Sequence, residues 1–215
     1  MQRTLPLVGL SLLLAVQTLQ AAQVNQPGQS GQSSSYALNH AVVGVFADYL
    51  NFSPGNYGAN YVGVGGRFGI DVQPNLAQEA EMNYDFARNF TTTYTTGPGA
   101  GATTTFVTTS MRPLTGLFGP KLQFGTSGPF RAFVTGKLGF INFDTNTSGF
   151  VSGSTFIGAV EGVGGGGTHL AFYPGGGFER FGGPIGFCAE VGDEIYLNNG
   201  AYNNLRIIAG PTIRF

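Results

Sequence analysis

A strict two-residue alternation of side-chain character constrains this chain most, and it is clearest at the C-terminal end. Leu205, Ile207, Ala209, Pro211, Ile213 and Phe215 share one face, with Asn204, Arg206, Thr212 and Arg214 on the other. A period of two marks a β-strand, because a helix would scatter both sets around its axis. Leu76 to Phe86 repeats the pattern: Glu79, Glu81, Asn83 and Asp85 alternate with Ala80, Met82, Tyr84 and Phe86. Upstream, Val62, Val64, Phe68 and Ile70 oppose Tyr61, Gly63, Gly65 and Arg67, and Asp71-Val72-Gln73-Pro74-Asn75 joins the two strands as a hairpin. Arg67 falls on the side of Glu79 and Glu81, so that face is expected to be ion-paired.

The hairpin unit recurs. Leu114, Gly116, Phe118, Pro120, Leu122 and Phe124 oppose Thr115, Lys121 and Gln123. The turn 125–129 leads to Phe130, Ala132, Val134, Leu138 and Phe140, opposed by Arg131, Thr135 and Lys137. A third unit carries Leu170, Phe172 and Phe178 outward, turns at 180–184, and continues with Phe187, Ala189 and Val191 opposite Cys188 and Glu190. A first strand from Ala41 to Phe52 brings the count to eight, with ten open as an alternative. It places Asp48 inward together with Phe46 and Leu50. Short turns at 71–75, 125–129 and 180–184 alternate with longer connections at 53–59, 88–105, 143–167 and 197–203. The two longest, Thr91–Thr105 and Thr145–Gly167, are rich in Gly, Thr and Ser and are expected to be mobile loops. Pro113, Pro120, Pro174 and Pro211 interrupt donor rows and are expected at bulges or strand ends.

Composition decides which face meets which solvent. Charged residues make up 10% of the chain, against about 25% in ordinary soluble domains. A secreted lipocalin-like barrel, with the Phe-rich face inside, would have a meagre charged surface. With that face turned to lipid, the charges line a narrow lumen and can pair there. A charge on the lipid face near the midplane would cost about 2–4 kcal/mol. Strands of about ten residues, tilted about 40°, span the apolar band of an outer membrane, about 25 Å. The expected fold is therefore an all-β, eight-stranded antiparallel up-and-down transmembrane barrel. The chain has no Trp, so Tyr84, Tyr173 and Tyr196 are the candidates for an aromatic girdle. A net charge of −1 argues against nucleic acid as a partner.

Residues 1–22 read as a cleavable export signal, from Arg3, the apolar run Leu5–Val16, and Ala21-Ala22. Residues 23–39 are a polar, flexible lead-in expected in the periplasm, and 40–215 hold the barrel. Alternating turn lengths put both chain ends on the periplasmic side. Cys188 is the sole cysteine and forms no intrachain disulfide, and no cysteine follows the signal to carry a lipid.

Candidate chemistry concentrates on the inward set Arg67, Glu79, Glu81, Asp85, Lys121, Arg131, Lys137, Glu190, Arg206 and Arg214. It serves either as a plug of ion pairs that holds the strands in register or as a narrow conduit for water or small ions. Eight strands leave an interior just filled by side chains, which favours the plug. His40 lies at the start of the first strand, away from any outer rim. His169 lies near the top of a later strand, within reach of Asp144 or Asp48. Neither forms a recognisable catalytic or metal-ligating pattern, so no enzyme, metal or cofactor is expected. Gly162–Gly167 lacks the Lys-Ser/Thr ending of a phosphate loop, and Gly63, Gly65, Gly66 and Gly69 read as small residues in a tight interior.

Phe118-Gly119-Pro120-Lys121, the turn into Pro129-Phe130, Gly175-Gly176-Gly177-Phe178 and Asn203 to Phe215 together resemble the small outer-membrane β-barrel domain family. Its relatives include the outer-membrane protein A transmembrane domain and the opacity-type surface proteins. The likeness spans residues 38–215. It implies a monomer in outer-membrane lipid with no shared catalytic residues and a structural or surface-interaction role. It further implies a terminal strand read by the barrel assembly machinery through Ile207, Ile213 and Phe215. Cys188 stands where relatives carry an inward basic residue, which leaves Glu190 expecting fewer partners.

Overall fold

Alternating β-branched, aromatic and polar residues fold into antiparallel strands over most of the residues that the computed structural model describes. The described residues are 41–53, 58–97, 102–125, 128–148 and 166–215. The expected signal, lead-in and His40 lie outside the described residues, as does Gly162-Val163-Gly164-Gly165. The strands are β1 (Ala41–Phe52), β2 (Ala59–Gln73), β3 (Leu76–Asp85), β4 (Arg88–Thr96), β5 (Thr103–Phe124), β6 (Phe130–Ser148), β7 (Gly167–Gly182), β8 (Ile185–Leu197) and β9 (Ala201–Arg214). Their order is β3-β2-β1-β9-β8-β7-β6-β5-β4, and a β3–β5 ladder closes the sheet on itself. β3 lies along Leu114–Leu122 of β5 and β4 along Thr103–Met111 of the same strand. The two are one barrel position broken at Phe86-Ala87, so the nine strands among the described residues make an eight-stranded barrel.

Strand ends differ from the sequence reading where polar Thr-rich stretches still pair. Within Thr91–Thr105 the described residues are largely paired and not loop: β4 and β5 run side by side from Thr91↔Thr108 to Thr96↔Thr103, and residues 98–101 lie outside the described residues. β6 likewise runs to Ser148, opposite Thr108. Thr has high strand propensity, and its outward hydroxyl is satisfied across the ladder, as in Thr91···Thr108 at 3.1 Å. At the opposite end, β7 runs to Gly182, which shortens the expected 180–184 turn to Gly183-Pro184. Gly183 there adopts φ 71°, which glycine accommodates without strain.

Three of the four prolines also depart from expectation, since Pro120, Pro174 and Pro211 sit at neither a bulge nor a strand end. Pro113 instead faces the junction of β3 and β4, where pairing with β5 slips by one residue between Tyr84↔Leu114 and Arg88↔Met111. A further register shift lies between Asp71 and Gln73, away from any of the four. At Pro120 the β5–β6 pairing passes from Phe118↔Leu138 to Lys121↔Thr135 in unchanged register, while Gln78↔Pro120 persists on the other side. Pro174 and Pro211 behave likewise, with the gap towards β8 and β1 respectively. Pro113 pairs with Phe143 inside β5. Next to two of these prolines glycine is obligatory. A Cβ on Gly119 would lie 2.2 Å from the Gly136 carbonyl oxygen, and one on Gly210 would lie 2.0 Å from that of Val45.

The barrel is apolar outside and charged within, the reverse of a lipocalin-like soluble barrel. Phe68, Phe118, Val134, Phe172, Phe187 and Ile207 are exposed, whereas Arg67, Glu79, Lys137 and Arg206 are buried. At one end the short turns and both barrel termini meet in backbone bonds. Gln123 N donates to Asn75 O (2.7 Å), Phe181 N to Pro129 O (2.8 Å), Arg214 N to Pro184 O (2.8 Å) and Phe215 N to Ala41 O (2.9 Å). Gly66 faces outward, not into the interior with Gly63, Gly65 and Gly69.

Candidate functional site

Every barrel position contributes an inward charged or polar group to one buried cluster at mid-height. Lys137 of β6 is its hub. Its Nζ lies 2.6 Å from Glu79 Oε1, 2.7 Å from Glu81 Oε2 and 3.0 Å from Glu190 Oε1. Lys121 of β5 bridges Glu79 at 2.8 Å and Glu179 of β7 at 2.7 Å. Arg67 of β2 reaches Glu190 at 3.1 Å and both Glu79 and Glu81 at 3.6 Å. Arg206 of β9 joins Asp48 of β1 (3.0 Å), Glu81 (2.8 Å) and Glu194 of β8 (3.4 Å), and it donates to Asn83 Oδ1 at 3.0 Å. Glu194 also accepts from the Thr115 hydroxyl at 2.9 Å. Two-residue alternation is the local cause, because it turns every second side chain of a closed sheet onto the same axis.

Seven of the ten residues singled out in sequence meet here: Arg67, Glu79, Glu81, Lys121, Lys137, Glu190 and Arg206. The other three face inward but stand apart. Asp85 is buried, its Oδ1 has no partner among the described residues, and its Oδ2 accepts only a 3.4 Å bond from Asn83. Arg131 donates to Gln123 at 3.1 Å and lies over the Phe181 ring. Arg214 pairs with Asp71 at 3.6 Å, near the short turns. Asp48 belongs to the cluster through Arg206, while Glu179 and Glu194 escaped the sequence reading. Glu179 sits inside what read as a turn approach, and Glu194 lies past the last clear alternation of β8, yet parity from Glu190 would have found it.

Glu190 is not short of partners despite Cys188 beside it. It is held by Arg67 and Lys137, and the buried Cys188 Sγ itself accepts from Arg67 at 3.1 Å. Carboxylate oxygens of Glu79, Glu81 and Glu190 converge within 4.8 Å, the kind of set that holds a cation. The Lys137 ammonium already bonds all three, so a metal would have to displace it.

Towards the long-loop end the lumen turns from ionic to aromatic, which a uniformly polar interior did not anticipate. Leu50, Phe52, Tyr61, Met111, Ile141, Phe143, Tyr173 and Tyr196 pack into one buried apolar cluster. Phe52 stacks on Tyr196 at 5.9 Å and meets Phe143 edge-on at 5.3 Å. Tyr173 and Tyr196 are therefore core residues and not girdle residues, and Tyr84 alone of the three faces outward. His169 packs against Phe143 and Tyr196, at 5.8 and 5.9 Å, with its Nε2 buried and unpartnered among the described residues. The carboxylates within its expected reach are engaged elsewhere, Asp48 by Arg206 and Asp144 by Arg112 on the outer face. Ile207, Ile213 and Phe215 are all exposed on the outer face of the terminal strand.

No protein-family model and no curated protein sequence matches the chain. Among solved structures it is similar to Ail, the attachment invasion locus protein of Yersinia pestis, with a TM-score of 0.53 and 10% identity over 82% of this chain and 99% of that one. It is also similar to Neisserial surface protein A, with a TM-score of 0.49 and 12% identity over 81% of this chain and 97% of that one. At such identity the likeness concerns architecture alone, and that of Ail agrees with the closed antiparallel ladder: the chain has the fold of the small eight-stranded outer-membrane β-barrels.

Proposed function

We propose that this protein is a monomeric, non-enzymatic barrel of the bacterial outer membrane, exported by its first 22 residues and assembled by the barrel assembly machinery through its terminal strand. Both barrel termini then face the periplasm. The β4–β5–β6 sheet, which continues past the barrel rim, stands outside the cell as the surface for interaction. The observation that carries this reading is the sorting of side chains by face. Exposed phenylalanines ring the wall, and the charges are paired within, where lipid cannot reach them. The paired cluster under its aromatic layer supports a structural lumen over a conducting one, because water would have to pass buried rings and ion pairs in succession.

Fractionation of the expressed protein tests location, and a shift between heated and unheated samples on a gel tests the barrel. Recovery of processed, detergent-free monomer from the soluble fraction would defeat the proposal. Planar-bilayer recordings of the purified barrel should be silent. Discrete conductance steps would replace the plug with a channel.

A further inference from the structure

Outside the barrel, where the apolar wall ends, β4, β5 and β6 form a polar cleft of about 390 Å³ lined by Asn89, Ser110, Arg112, Asp144 and Asn146. That volume falls within the range of small-molecule sites, about 300–1,000 Å³. We propose that it holds the sugar headgroup of a membrane glycolipid whose acyl chains lie on the apolar wall below; this rests on the outer-membrane reading above.

Three observations converge on this occupant. The first is position. The last outward apolar residues below the cleft are Tyr84 with its ring neighbour Phe86, Leu114 and Phe140, and the next outward residues on β5 and β6 above them are Arg112, Asn142 and Asp144. The boundary between hydrocarbon and headgroup therefore runs along the floor of the cleft, and an amphiphile seated there keeps its tails on the wall. The second is chemistry. Carboxamides, a hydroxyl, a guanidinium and a carboxylate offer donors and acceptors side by side, which matches neighbouring sugar hydroxyls. The third is preorganisation. Arg112 is bonded to Asp144, donates to the Tyr84 hydroxyl at 2.6 Å, and lies 5.2 Å from the centre of that ring. Because its charge is met by Asp144, the cleft is neutral overall, which favours an uncharged polyol over a phosphate.

The test uses the barrel folded into vesicles of phosphatidylcholine alone or of phosphatidylcholine with digalactosyl diacylglycerol. The protein is re-isolated in a detergent without a sugar head, and the retained lipids are quantified by mass spectrometry. Wild-type protein should retain the glycolipid well above its share in the vesicle, and free galactose should not displace it. Asp144→Ala and Asn89→Ala should each lower retention roughly tenfold, the equivalent of one lost polar contact. Asn203→Ala, a polar outward change on β9, should leave it unchanged. Retention of both lipids in the vesicle ratio, or equal retention by the cleft variants, would overturn the glycolipid site while leaving the barrel reading intact. A wild-type protein that fails to insert, seen as no heat-dependent gel shift, would overturn the membrane reading and this inference with it.

Discussion

At the scale of the residue, a buried charge is costly unless its partners remain, and Lys137 shows what that implies. With its side chain wholly buried between Glu79, Glu81 and Glu190, truncation to Met would leave three carboxylates facing each other. Breaking such a cluster from one side costs about 3–5 kcal/mol. Lys137→Met is expected to lower the unfolding free energy in micelles by that order, and Thr104→Ala in the exposed hairpin to change it by less than about 0.5 kcal/mol. Equal losses, followed by urea titration, would contradict a stabilising cluster. Tyr196 leads to the opposite outcome. Its ring is packed in the aromatic layer while its hydroxyl finds no partner among the described residues. Tyr196→Phe should therefore be neutral or stabilising, and Tyr196→Ala should cost about 3–5 kcal/mol through the cavity it leaves. Cys188, buried against Arg67, should resist maleimide in the folded barrel and react on unfolding, read by the mass added.

At the scale of the element, glycine and proline set how closely the strands approach. Gly119-Pro120 and Gly210-Pro211 place a missing side chain where neighbouring backbone intrudes, beside a residue that cannot donate to the ladder. Gly210→Val would drive methyl groups into the β1 backbone, so the folded fraction should fall sharply on unheated gels. Ala201→Val, on an exposed position of the same strand, should fold as wild type. The alternation of β3 and β9 made their faces legible from sequence alone. The Thr-rich arm of β4 and β5 was not legible, because residues such as Thr91 and Thr108 are polar on both sides and give no periodic contrast. Its strand character comes from pairing across the ladder. Prolines misled for a related reason: a donor can be lost on one side of a strand while pairing continues on the other.

At the scale of the whole molecule, every barrel position is tied to the central cluster, so the lumen acts as a girdle that couples all the strands. Interactions withdrawn from solvent are poorly screened by salt, whereas the outward Arg112–Asp144 pair is exposed. Raising sodium chloride from low to molar concentration should leave the melting temperature of the barrel nearly unchanged. A large fall would mean that the cluster is wetted.

The amino-acid order alone determined the β-class, the sidedness of the wall, the hairpin pairing and the inward parity of Arg67, Glu79, Glu81, Lys121, Lys137, Glu190 and Arg206, because a pleated strand turns successive side chains to opposite faces. Tertiary closure decided which of these charges touch. It brought Asp48, Glu179 and Glu194 into the cluster and left Asp85, Arg131 and Arg214 outside it. It also drew Tyr173 and Tyr196 into the core and set the outward cleft above the apolar wall. Parity assigns a face, but the height of a side chain along the barrel depends on register and shear across strands distant in sequence, and these exist only once the sheet has closed.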